Sequence, residues 1–122
     1  MAARKRVPIV PDPVHVRRIE GSFAWLDHRL LRDGVIERLT PMDIAVYVFL
    51  VLAADRDGVS FYRGDVIARR LGIECHQFYE AKARLLERGL IAFRPFSPRD
   101  RDGFYQVLPL PSRSGGADPA AL

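Results

Sequence analysis

The side chains best suited to chemistry lie in one run, residues 74–88, ECHQFYEAKARLLER. Phe78, Ala81, Leu85 and Leu90 recur there at three- and four-residue steps, which gives a helix with one apolar stripe. The other side carries His76, Gln77, Tyr79, Glu80, Ala83 and Arg84. An imidazole, an amide, a phenol, a carboxylate and a guanidinium supply donors and acceptors together, the equipment of a helix exposed to read something by hydrogen bonds. Cys75 beside His76 admits a second chemistry, a thiol activated in the first turn of a helix. A partly buried, inert cysteine is the preferred reading, since Cys75 is the chain's one cysteine and nothing resolves its oxidation. The same count leaves no internal disulfide and no cysteine-based zinc site. His15, His28 and His76 lack ligand spacing, so no metal and no cofactor is expected. Gly64, Gly72 and Gly89 stand alone rather than in a phosphate loop, no G-x-S-x-G or H-E-x-x-H occurs, and Asp55-Arg56-Asp57-Gly58 reads as a turn. An enzyme is not expected.

The elements that hold this face can be read around it. Leu71-Gly72-Ile73 ends a preceding helix, the glycine supplying a positive-φ turn. That helix starts near Arg63-Gly64-Asp65, with Val66, Ile67, Ala68 and Leu71 apolar and Arg69 and Arg70 exposed. Gly89 closes the reading helix, and residues 91–96 then form a strand, SPRDRDG a polar loop and residues 104–108 a returning strand, which makes a hairpin. Upstream, Thr40-Pro41-Met42-Asp43 is a helix start with a capping threonine, a proline in the first turn and an acid at the positive end of the dipole. The helix that follows, 44–54, is apolar all round and should be buried on more than one face. Residues 59–62 form a short strand. Before all these, 23–26 reads as a strand, 27–32 as a turn of helix and 35–39 as another, with Trp25, Tyr47 and Phe49 assigned to the core.

Nearly half of the 122 residues are apolar, enough for one domain with a core. No run of eighteen apolar residues occurs, and Arg4-Lys5-Arg6 with Pro8, Pro11 and Pro13 is not a secretion signal. A soluble protein of the cytoplasm, with no membrane partner, is therefore expected. The net charge of +4 is uneven. Residues 1–19 set five basic groups against Asp12, residues 20–93 hold ten basic and eleven acidic groups, and residues 94–122 carry +1. Residues 1–19 read as a flexible basic arm, 20–110 as the domain and 111–122, rich in Pro, Gly and Ser, as a disordered tail.

Leu71, Gly72, Ile73, Ala81, Leu85, Gly89, Leu90 and Ile91, with a hairpin directly behind, resemble the pattern of winged helix-turn-helix DNA-binding domains. The leading segment, F-A-W-L-D-H-R-L-L-R…L-T-P…V-Y-V-F-L, is similar to that of winged-helix proteins of plasmids, phages and transposable elements. The resemblance implies an α+β fold, a three-helix core with a β-hairpin wing. It also implies that residues 74–88 enter the major groove of double-stranded DNA. By position, His76, Gln77, Tyr79, Glu80 and Arg84 would then read bases: Gln77 suits adenine, Arg84 guanine or a phosphate, Tyr79 a phosphate or a thymine methyl. Arg63, Arg69 and Arg70 would lie along the backbone, Arg99 and Arg101 in the wing would flank the site, and Arg4, Lys5 and Arg6 would follow phosphates or a minor groove. Family members usually act in pairs, which implies a homodimer or several copies on DNA.

The chain also departs from the pattern. Glu74 stands where Ser or Thr usually caps the reading helix, and Lys82 replaces a usually apolar residue. Glu74, Glu80 and Glu87 balance Lys82, Arg84 and Arg88, so the helix is neutral. Two functions stand against each other. One is duplex DNA binding in transcription, replication or transposition. The other is an adaptor that holds a protein partner within a nucleoprotein complex.

Overall fold

The computed structural model describes residues 7–111, in which four helices pack with a three-stranded antiparallel sheet. The α+β class expected from the sequence is what forms. Residues Arg4, Lys5 and Arg6 and the tail from 112 onward lie outside the described residues.

The first helix, α1 (Arg29–Arg32), and a 3-10 turn at Ile36–Arg38 fall where two turns of helix are expected. The strand expected at 23–26 does not form. A strand needs a neighbour for its N–H and C=O groups, and the sheet accepts none from this segment. Phe23 and Trp25 instead stack on each other, centroids 6.3 Å apart and nearly parallel. Trp25 is 81% exposed and so is no part of the core to which it was assigned.

Helix α2 (Pro41–Ala53) starts on a complete capping box. Asp43 N–H donates to Thr40 Oγ1 at 3.0 Å, and Thr40 N–H donates to Asp43 Oδ2 at 3.1 Å. Val46, Tyr47, Leu50 and Val51 are buried, and their spacing puts them on one broad face. Leu52 on the other side is 69% exposed, so the burial on more than one face expected from the all-apolar sequence is not complete. Helix α3 (Gly64–Leu71) ends at Gly72, whose φ of +71° lets Ile73 N–H reach back to Ala68 C=O. Helix α4 (Cys75–Glu87) follows at once and buries Phe78, Ala81 and Leu85 against α2 and α3. Phe78 and Leu85 are fully buried, and truncation to alanine would cost about 3–5 kcal/mol at Phe78 and about 2–5 kcal/mol at Leu85.

Gly89, at φ +72°, turns the chain from α4 into β2 (Ile91–Pro95). Strand β3 (Gly103–Val107) returns beside it and also pairs with β1 (Val59–Ser60), so the strand order is β1-β3-β2. The register sets Arg94 opposite Phe104 and Phe93 opposite Tyr105. Alternation then sends Phe93 and Tyr105 inward toward α4 while Phe104 and Gln106 face out.

Candidate nucleic-acid interface

Among the expected reading residues, His76 and Glu80 are exposed on α4 and Gln77 is half-buried. Gln77 Oε1 accepts the Glu74 N–H at 2.9 Å, so the amide that would pair with adenine also closes the first turn of its own helix. Cys75 is exposed rather than tucked beside the turn, because the apolar stripe passes through Phe78 and leaves the first residue of the helix outside it.

Two expected reading residues are turned to other work. Arg84 Nε donates to Asp43 Oδ1 at 2.7 Å, and Asp43 is only 1% exposed. The guanidinium therefore fastens α4 to the first turn of α2, while the side chain stays 38% exposed. Tyr79 is half-buried and points to the hairpin, where its hydroxyl donates to Asp102 Oδ1 at 2.8 Å. Burial and that carboxylate raise the Tyr79 hydroxyl above the usual tyrosine range.

The same Asp102 oxygen accepts the Gly64 N–H at 2.9 Å. The loop between β2 and β3 is thus held at once by the first residue of α3 and by α4. Gly64 has no room for a side chain, since a Cβ there would run into the Tyr79 and Phe78 rings. Arg101 lies over the Tyr79 ring, its guanidinium carbon 4.1 Å from the centroid, and so packs on α4 while remaining exposed. Arg99 is exposed in the same loop.

Lys82 completes this cluster. Its Nζ donates to the Arg101 carbonyl at 2.8 Å and sits 3.3 Å from the centroid of Phe93, with the rings of Tyr105 and Tyr79 at 5.3 and 5.7 Å. The residue is 9% exposed, and burial lowers its ammonium to about 8 against the partial support of the Asp102 charge. Neither Lys82 nor Asp102 was assigned a role from sequence. The signal for Lys82 was its place four residues after Phe78, on the apolar stripe; Asp102 in its polar loop gave none.

Arg69 and Arg70 are exposed at the last turn of α3, as expected. Arg63 is exposed but forked onto Asp65, with Nε to Oδ1 at 3.0 Å. With Lys82 buried and Arg84 paired, the exposed charged groups of α4 and its caps are Glu74, Glu80 and Glu87 against Arg88. The helix counted as neutral from its sequence presents an acidic surface.

Among the described residues no helix is long and apolar enough to cross a membrane, and no three His, Cys, Asp or Glu side chains gather as a metal site. No family model matches the chain, and no curated protein or solved structure shows significant similarity to it.

Proposed function

We propose that the chain is a winged helix-turn-helix domain that binds double-stranded DNA, as a transcriptional regulator or as an accessory factor in replication or transposition. The observation that carries this reading is the placement of α4. It follows a tight turn after α3, keeps His76, Glu80 and Ala83 at the surface, and lies against the β2–β3 hairpin, whose loop is tied to it through Tyr79 and Lys82. In this reading His76, Gln77 and Glu80 meet base edges, a glutamate being suited to the cytosine amino group. Arg69, Arg70, Arg99 and the basic arm meet phosphates. Arg84 and Tyr79 position the helix and the wing and leave base reading to their neighbours. Two copies on DNA would double the phosphate contacts.

The acidic surface of α4 favours a second reading, in which the same face holds a basic segment of a protein partner within a nucleoprotein complex. A titration against a pool of random duplexes at two salt concentrations separates the two. Duplex binding that weakens steeply with salt, and that loses its sequence preference in a His76→Ala, Glu80→Gln double variant, supports the first. Absence of salt-dependent duplex affinity at low salt rejects it.

A further inference from the structure

We propose that the outer face of the β-sheet is a second nucleic-acid site, one that takes single strands. It is independent of the duplex reading, because α4 packs on the opposite, inner face through Phe93 and Tyr105.

Strand register builds the site. Arg94 pairs with Phe104 on the outward side of β2 and β3, and Phe61, the residue just past β1, reaches Phe104 from beyond the rim of the groove over this face. Phe96 joins them from the end of β2. The Phe61 and Phe104 centroids are 6.0 Å apart and those of Phe104 and Phe96 are 5.1 Å apart, in edge-to-face contacts. These rings are 67%, 44% and 47% exposed for Phe61, Phe104 and Phe96. A water-exposed run of three phenylalanines is costly unless something covers it.

The chemistry of the surround says what covers it. An open groove of about 530 Å³ runs over this face, and Arg94 is the one charged residue in its lining. The Arg94 side chain is exposed and makes no hydrogen bond or ion pair among the described residues. Asp100 in the adjoining loop is engaged by the Ser97 hydroxyl at 2.8 Å. Apolar rings with an unspent guanidinium and no carboxylate in the groove suit a polyanion that carries flat apolar faces. Because neighbouring rings meet edge-to-face, they offer separate faces at different tilts, and bases seated on them must already be unstacked from one another. A duplex keeps its base faces inside; a single strand offers them to aromatic side chains and its phosphates to arginine.

The test is fluorescence anisotropy with the full chain and labelled oligo-dT or oligo-rU of about ten nucleotides. Phe61→Ala and Phe104→Ala should each weaken binding roughly 5- to 150-fold, as expected for loss of one stacked base. Both should leave the duplex titration within about twofold. Phe61→Ala, on the most exposed ring, should leave the melting temperature unchanged, while Phe104→Ala loses two ring contacts and should lower it by only a few degrees. Arg94→Gln should flatten the salt slope by about one. Phe61→Trp should retain affinity and show quenching of the added indole on top of a constant Trp25 signal. A preference for dT or rU assigns the sugar of the strand and leaves the site in place. The proposal is overturned if neither oligonucleotide binds, or if both alanine variants bind as the parent does. It is also overturned if those variants split a dimer in sedimentation without weakening oligonucleotide binding, which would make a second copy the occupant.

Discussion

Asp43 does two things with one carboxylate: Oδ2 closes the capping box on Thr40, and Oδ1 receives Arg84. With the residue almost wholly buried, that second contact matters more than a surface ion pair would. Arg84→Ala leaves the acid buried with half its partners and should cost about 2–3 kcal/mol in urea unfolding. Asp43→Ala/Arg84→Ala together should cost less than the two single losses added. A base-reading Arg84 predicts the reverse pattern, unchanged stability and an altered preferred sequence. Lys82 makes a prediction in pH. Its folded ammonium titrates at about 8, below the ordinary lysine value of 10.5, so the unfolded chain binds more protons between these two values. Stability therefore rises as pH increases above about 8, by at most about 3 kcal/mol. Tyr47, Tyr79 and Tyr105 are shifted the other way, chiefly by burial, and unfolded tyrosines begin to ionise near pH 10. The net expectation is a stability maximum near pH 9–10, measured by denaturant midpoints across pH 6–11. Lys82→Met should abolish the rise.

At the scale of elements, the β2–β3 hairpin is a docked part rather than a loose flap. Asp102 joins it to Gly64 of α3 and Tyr79 of α4, and Lys82 takes a carbonyl from the same loop. Tyr79→Phe removes one of these contacts and leaves a buried-side acceptor short of a donor. It should cost about 1–2 kcal/mol and speed amide exchange of residues 96–102 while β2–β3 pairing persists. The helices and the hairpin were legible in the sequence because burial periodicity and turn chemistry depend on local residue types. Thr40 with Asp43, Gly72 and Gly89 each marked a boundary that forms. What periodicity cannot report is where a long side chain ends. Arg84 and Tyr79 sit on the face expected to read, yet their polar ends reach Asp43, 41 residues away, and Asp102, 23 residues away. The strand expected at 23–26 fails for a related reason: a strand forms only where a partner strand exists. Nor did periodicity separate the two faces of the sheet, so Phe61, Phe96 and Phe104 gave no warning of standing together in water.

For the whole molecule, charge is divided between surfaces. The described part of the arm, from residue 7, stays exposed through residue 28, with one 3-10 turn at Pro13–His15 set by Asp12. Arg17 and Arg18 on it, with Arg4, Lys5 and Arg6 before it, hold the excess positive charge, while α4 shows three glutamates. If the proposed reading holds, a duplex approaching α4 would be attracted by the basic arm and repelled by the helix. Affinity should come largely from phosphate contacts of the arm, and discrimination from the helix. Deleting residues 1–18 tests this division. Because residues 7–18 bury no side chain, the melting temperature should hold. Up to five cations are lost, so the slope of log affinity against log salt should flatten by as much as about 4.5, at roughly 0.9 per phosphate neutralised. All sequences should weaken together and the preferred site should keep its rank. If the rank changes while the slope holds, the arm reads sequence. If neither moves and a basic protein partner still binds to Glu80 and Glu87, the acidic helix is the working surface and DNA is not its ligand.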